Sequence, residues 1–281
     1  MNIAIIGYGK MGKILESLAL ERGHRIAGAA DPFYGEPRTA SGARVFKSAA
    51  ELAAALGEAG GGAPAADVAL EFTRPDTAAA NIRALAEKGI PVVAGTTGWL
   101  DRLEEVKAAV KAAGSSLLWA SNFSLGVHIF FRIAAFAAKL ADPFPEYDVG
   151  GFEVHHNKKA DSPSGTAKTL AETLLGVMTR KTTAVYQTLD RPPGPEELHY
   201  ASLRVGSAPG VHSLCFDSPA DTIEITHTAR NREGLASGAL AAAQWLLNCP
   251  GPGKPAGKAR RGIFTMDDVL EDIISAKECK E

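Results

Sequence analysis

The run that most constrains the fold lies at the very start of the chain. Asn2–Ile6 reads NIAII, apolar without a break, which suits a strand buried on both faces of a parallel sheet. Gly7-Tyr8-Gly9-Lys10-Met11-Gly12 follows, a G-x-G-x-x-G turn. Met11, Ile14, Leu15, Leu18 and Ala19 then recur at helical spacing until Gly23. A second strand, His24–Ala30, ends at Asp31, 19 residues beyond Gly12. A glycine-rich turn alone says little. Set between a strand and a helix, with an acid about 20 residues on, it is a dinucleotide-binding fingerprint. Gly7, Gly9 and Gly12 permit a tight turn and close approach of a pyrophosphate to the helix N-terminus. Asp31 is placed to accept from the adenosine ribose hydroxyls, which favours NAD(H). Lys10 and Arg38 can still meet a 2′-phosphate, so NADP(H) stays open.

The alternation continues. Ser48–Leu56 reads as a helix and the Gly/Ala-rich stretch Glu58–Ala66 as a loop. Strands at Asp67–Phe72, Ile90–Ala94 and Ser116–Trp119 are separated by helices at Asp76–Lys88 and Leu100–Ala113. Strand and helix in turn predict an α/β fold, a Rossmann-type doubly wound parallel sheet. Ligands bind outside the carboxyl edge of such a sheet. Three polar clusters fall there, around Thr73, around Gly95-Thr96-Thr97 and around Ala120-Ser121-Asn122-Phe123. Beside the fingerprint they are candidate cofactor contacts.

After Tyr147 the pattern changes. Leu125–Leu140 reads as a connecting helix. Tyr147–His155, Thr183–Gln187, Tyr200–Val205, Val211–Phe216 and Thr222–Thr228 read as strands, with a helix over Gly165–Met178. Short turns between the last three strands predict antiparallel neighbours. The second part is therefore expected to be a smaller α+β domain with a mixed, largely antiparallel sheet. Residues 123–230 are assigned to it, for substrate binding and oligomerisation. Residues 1–122 and 231–281 are assigned to the dinucleotide-binding domain. Gly234–Leu247 is its last helix, Pro250–Gly262 a loop, and Gly262–Ile274 packs back on the first domain. A sheet with a helix on one face leaves the other to be covered, and a second copy of the chain is the expected cover.

The chemistry concentrates in Glu153–Leu170, EVHHNKKADSPSGTAKTL. His155, His156, Lys158 and Lys159 place four cationic or proton-transferring groups within five residues. Ser162 is read as the N-cap of the helix that follows, with Pro163 at its first position. Cations, proton carriers and a helix N-terminus converge, which suits a carboxylate- or phosphate-bearing substrate that must be protonated. A polar run of this kind is by itself an ordinary solvated loop; the cofactor fingerprint ahead of it is what argues otherwise. A metal held by His155 and His156 is disfavoured, because adjacent side chains on a strand point apart.

Composition narrows the rest. The 281 residues are 46% hydrophobic and 22% charged, with a formal net charge of −2, which points to neither nucleic acid nor an anionic membrane. The longest apolar run, Leu125–Ala141, is broken by His128, Arg132 and Lys139 and is short for a membrane span. Cys215, Cys249 and Cys279 show no metal-ligand spacing and read as reduced thiols. A strand beginning at Asn2 leaves no room for a signal peptide. A cytoplasmic protein with no metal is expected.

The run His155-His156-Asn157-Lys158-Lys159-Ala160-Asp161-Ser162-Pro163-Ser164-Gly165-Thr166-Ala167 resembles the signature of the 4-hydroxy-tetrahydrodipicolinate reductase family of lysine and diaminopimelate biosynthesis. Gly95–Gly98, Ser121–Ser124, Arg204–Gly206, Gly210–His212 and Gly262–Phe264 are similar to further motifs of that family. The resemblance implies an oxidoreductase. It implies NADH- or NADPH-dependent reduction of 4-hydroxy-tetrahydrodipicolinate to tetrahydrodipicolinate, with loss of water. It implies acid/base roles for His155 and Lys159 and substrate binding by His156, Ser164, Gly165 and Thr166. Cofactor positions carried over are Gly7–Met11, Asp31, Gly95–Thr97 and Ala120–Phe123. It further implies a homotetramer built through the second domain. The family's glycine loop is often longer, with arginine where Lys10 stands, and an arginine often follows the acid where this chain has Pro32. Both differences leave the cofactor preference open. Lys159, crowded by other cations, is read as the immediate proton donor, with His155 positioning or relaying.

Overall fold

The computed structural model describes residues 1–57, 66–249 and 259–278. The Gly/Ala-rich stretch from Glu58, most of the Pro250–Gly262 stretch, and Cys279 lie outside the described residues. Contacts divide the chain into two compact units, Met1–Ser124 with Leu235–Glu281, and Leu125–Gly234.

The first unit opens with β1 (Asn2–Ile6), α1 (Lys10–Glu21), β2 (Arg25–Ala30), β3 (Val45–Phe46) and α2 (Ala49–Gly57). It continues with β4 (Val68–Glu71), α3 (Pro75–Glu87), β5 (Val92–Ala94), α4 (Leu103–Ala112) and β6 (Ser116–Trp119). The second unit contains α5 (Leu125–Ala141), β7 (Asp148–His155), α6 (Gly165–Leu175), β8 (Thr183–Val185), β9 (Glu197–Arg204), β10 (Val211–Asp217) and β11 (Thr222–Thr228). The chain then returns to the first unit through α7 (Glu233–Leu246), β12 (Gly262–Phe264) and α8 (Met266–Glu278).

The first unit's sheet runs β12-β6-β5-β4-β1-β2-β3, every pair parallel. Strands β1 and β4–β6 are apolar runs because helices cover both faces of the sheet. Ile3, Ala4 and Ile5 have no solvent exposure, nor do Ala69, Leu70, Val92 and Val93. The strand order reverses between β1 and β4, so the Gly7–Gly12 turn lies at the topological switch point. The expected doubly wound sheet is present. Its two outermost strands, β3 and β12, carry no periodicity of their own. Gly262–Phe264, read only as part of a closing segment, adds β12 beside β6.

The second unit's sheet runs β11-β10-β7-β9-β8 and is mixed, as expected. β10 pairs antiparallel with β11 and β7, while β7–β9 and β8–β9 are parallel. The turn before β10 therefore does not join neighbours, because β7 lies between β9 and β10. Two helices, not one, cover one face. Phe130, Ala134 and Ala138 of α5 and Ala167, Leu170, Ala171 and Leu174 of α6 pack with Val149, Leu198, Tyr200, Leu214 and Phe216. The opposite face carries Phe152 (44% exposed), Leu203 (55%) and Val205 (50%).

Candidate active site

In the first unit, the three glycines of the turn do three different things. Gly7 has φ +89°, and a Cβ there would stand 2.1 Å from the Phe72 carbonyl oxygen. A Cβ on Gly12 would stand 2.3 Å from the Gly7 carbonyl oxygen, so this glycine lets α1 pack onto β1. A Cβ on Gly9 would meet nothing within 4 Å. Gly9 is the exposed N-cap of α1 and gives the helix no side-chain cap. An open glycine before an uncapped helix N-terminus fits a pyrophosphate.

Asp31 ties its own loop to that turn. One carboxylate oxygen accepts from the Tyr8 N–H and the other from the Phe33 N–H, each at 2.9 Å. Tyr8 itself is buried. Its hydroxyl donates to Glu16 and accepts from the Ala40 N–H, and its ring meets Tyr34 edge-on at 4.9 Å. Burial, and then the bond to Glu16, push the Tyr8 hydroxyl up to about 12. Its side chain is therefore a loop anchor and only its backbone is at the turn. Thr73, Thr96 and Thr97 follow β4 and β5; the Thr73 N–H donates to the Thr96 hydroxyl at 2.7 Å. Gly9, Lys10, Thr97 and Ser121 are exposed, and Met11, Asp31, Thr73, Gly95 and Asn122 half-buried. Gly12, Ala120 and Phe123 are buried and contribute packing or backbone.

In the second unit, β7 delivers Glu153 and His155 to the helix-covered face. The chain then turns through the His/Lys run into α6. The helix cap is Ser164, not Ser162: its hydroxyl accepts from the Ala167 N–H at 3.1 Å. Ser162 and Ser164 both have cap chemistry, but only Ser164 also reaches the Glu153 carboxylate, which fixes the helix start at Gly165. Gly165 and Thr166 then occupy the first turn.

Glu153 is the hub of this cluster. One of its oxygens accepts from the Ser164 N–H (2.9 Å), the Ser202 hydroxyl (2.9 Å) and the Arg204 guanidinium (2.8 Å). The other accepts from the Ser164 hydroxyl. Burial pushes the carboxyl up, but Ser164, Arg204 and Ser202 outweigh it and hold it at about 2. Arg204 also donates to the Asp161 carbonyl at 2.6 Å, pinning the His/Lys run to β9. His155 stands beside Glu153, and burial lowers its proton affinity against the pull of that carboxylate. Its ring meets His212 edge-on at 5.2 Å. Burial takes His212 down to about 4, and its Nδ1 pairs with the Tyr200 hydroxyl at 3.1 Å. Lys159 contacts Asp161 at 2.7 Å. The nearest charge to Lys159 is thus an anion, where the sequence led us to expect crowding by cations. His156 is half-buried and Lys158 exposed.

Glu153, Tyr200, Ser202, Arg204 and His212 carry much of this geometry, and the sequence reading gave none of them a role. Glu153, His155 and His212 also bring one ligand-type atom each within 4.8 Å of one another. Glu153 Oε1 already accepts from amide, hydroxyl and guanidinium donors, so the charge of the carboxylate is answered by Arg204.

Residues 1–123 match the family described as dihydrodipicolinate reductase, N-terminus, and residues 126–270 match its C-terminus. A 4-hydroxy-tetrahydrodipicolinate reductase of Christiangramia forsetii is 36% identical over 273 residues, covering 97% of this chain and 99% of the relative. One from Archaeoglobus fulgidus is 35% identical, covering 96% and 100%. The solved dipicolinate-bound dihydrodipicolinate reductase of Paenisporosarcina sp. TG-14 shares the fold with a TM-score of 0.72 at 19% identity, covering 96% and 99%.

Proposed function

The chain belongs to the dihydrodipicolinate reductase family, and from that premise we infer how its own residues divide the work. It is an oxidoreductase that reduces 4-hydroxy-tetrahydrodipicolinate to tetrahydrodipicolinate, with loss of water, in lysine and diaminopimelate biosynthesis. A nicotinamide cofactor, when bound, supplies the hydride. The first unit holds it, with Gly7–Gly12 at the pyrophosphate and Asp31 at the ribose. Thr73, Gly95–Thr97 and Ala120–Phe123 line the rest of its carboxyl edge.

The observation that carries the reading in the second unit is Glu153, which anchors the α6 N-terminus through Ser164, holds Arg204 against the loop that carries Lys159, and lies 3.3 Å from His155. A dicarboxylate is met by the first turn of α6, at Gly165 and Thr166, and by His156 and Lys159. Lys159 delivers the proton and His155 orients or relays it. NADH serves at least as well as NADPH, because the basic groups of the loop after Asp31 are committed. Lys47 donates to the Tyr34 carbonyl at 3.2 Å, Arg38 to the Gly42 carbonyl at 2.7 Å, and Arg44 lies over the Phe46 ring. The enzyme works in the cytoplasm as a homotetramer closed over the exposed face of the second sheet.

The test is oxidation of NADH or NADPH with the product of dihydrodipicolinate synthase as substrate. Lys159→Ala is expected to lower kcat by roughly 100-fold or more, the usual worth of a general acid. Near-normal kcat in Lys159→Ala alongside its loss in His155→Ala would reverse the assigned order. Turnover only with an ordinary amino or hydroxy acid would overturn the substrate.

A further inference from the structure

A buried carboxylate stands directly behind the proposed proton carrier. Glu153 and His155 are two residues apart on β7, so both side chains leave the same face. Strand register seats Ser202 of β9 on one side of Glu153 and His212 of β10 on the other. The Glu153 side chain has no solvent exposure, and its Oε2 lies 3.3 Å from His155 Nδ1 and 4.0 Å from His212 Nδ1. His212 Nδ1 already pairs with Tyr200. His155 Nδ1 is sealed from solvent, makes no hydrogen bond, and has Glu153 Oε2 as its neighbouring carboxylate oxygen.

A neutral imidazole carries one proton and one lone pair on its two nitrogens. A lone pair on Nδ1 would face a carboxylate oxygen in a buried site, which is repulsive. A proton on Nδ1 is attracted to it, as in other carboxylate–histidine pairs. The other nitrogen, Nε2, lies beside Gly210, where a Cβ would come within 3.2 Å of it. A residue without a side chain leaves that nitrogen uncrowded.

We propose that Glu153 is the positioning residue of this site, holding the neutral His155 ring with its proton on Nδ1 and its lone pair on Nε2. Through Ser164 the same carboxylate anchors the α6 N-terminus, so the proton carrier and the carboxylate cradle share one fixed point. Nε2 is then the nitrogen that takes up and gives the proton. The inference rests on the reading of His155 as part of the proton path. The charged and titratable groups facing His155 are Glu153 on its own strand, Arg204 on β9 and His212 on β10. Lys159 and Asp161 face it from the loop after β7.

The primary test needs no change at Glu153. Two-bond ¹H–¹⁵N spectra of the full-length enzyme, with His155 assigned by its loss in His155→Asn, are expected to show the Nδ1–H tautomer. An Nε2–H tautomer would overturn the proposal. In Glu153→Gln, the limb of the kcat pH profile that belongs to His155 is expected to move acidward by on the order of one pH unit, since an adjacent carboxylate favours the charged ring. A Glu153 that served only to hold the strands together would lower thermal stability and leave that limb in place, which also overturns it. Failure of the underlying reading shows separately: His155→Asn would then turn over at the wild-type rate, whatever the tautomer.

Discussion

Asp31 sets a local shape and, in the proposed reading, a cofactor preference. Its two oxygens hold the Tyr8 and Phe33 N–H groups, so the fingerprint turn and the loop after β2 are fixed to each other before any ligand arrives. Each oxygen keeps a lone pair for a ribose hydroxyl. A 2′-phosphate would instead meet this carboxylate with the neighbouring Lys47 and Arg38 turned to backbone carbonyls. Asp31→Ala is therefore expected to lower the ratio of kcat/KM for NADH over NADPH by roughly 10-fold, the worth of one hydrogen bond to a charged group. An unchanged ratio would show that the preference is set elsewhere. The strand–turn–helix around the glycines, with Asp31 at the end of β2, was legible because that pattern is local. That Tyr8 turns its side chain into the protein was not, since it depends on Glu16 and on the Ala40 N–H of a loop distant in sequence.

At the scale of elements, α6 is the instructive case. Its apolar spacing marks the helix plainly, but either Ser162 or Ser164 can cap it, and local chemistry does not choose between them. The choice falls to Ser164 because β7 brings Glu153 under it. Ser164→Ala removes the cap and one donor to a buried carboxylate. We expect a loss of about 1–3 kcal/mol in unfolding free energy, with KM for substrate rising as the first turn loosens. Denaturant melts and steady-state kinetics check both, and unchanged stability would mean that Ser164 is not the working cap. The doubly wound sheet was readable because each buried strand is a continuous apolar run followed by a helix. Pairing in the second sheet was not. Short turns suggested that sequential strands are neighbours, yet β7 inserts between β9 and β10. That insertion assembles the cluster: the register sets Glu153 against Ser202 and His212, and His155 against Arg204. The His/Lys run could be found in one stretch of sequence, but the residues that hold it come from two other strands.

For the whole molecule, the two units carry different electrostatic loads. The open face of the second sheet, with Phe152, Leu203 and Val205 exposed, belongs to the proposed tetramer interface. Leu203→Glu should shift light-scattering mass toward smaller species, and a tetramer that persists would remove this face from the assembly. Acid should separate the units further. Free histidine titrates near 6.5, but burial holds His212 at about 4. Between those values the unfolded chain binds a proton that the fold refuses, so stability falls as pH falls through that window, by on the order of 3 kcal/mol in total. His155 and His227 shift in the same direction. Glu153, held at about 2, adds stability that is present above the free carboxyl range and lost from there down to about 2. The first unit has His24 and Glu16 working in this sense, but Glu71 works against them. Burial raises Glu71 despite its bonds from Thr73, Thr96 and Asn81, so its charge is a cost at neutral pH that acid relieves. Hydrogen exchange at pH 7 and pH 4.5, corrected for intrinsic rates, is therefore expected to show β7, β9 and β10 losing protection while β1, β4 and β5 keep theirs. Glu71→Gln should stabilise the first unit at pH 7 and make no difference once the carboxyl is protonated. Loss of protection in β1 and β4 ahead of β7 would mean that the histidine cluster is not the acid-sensitive part of the fold.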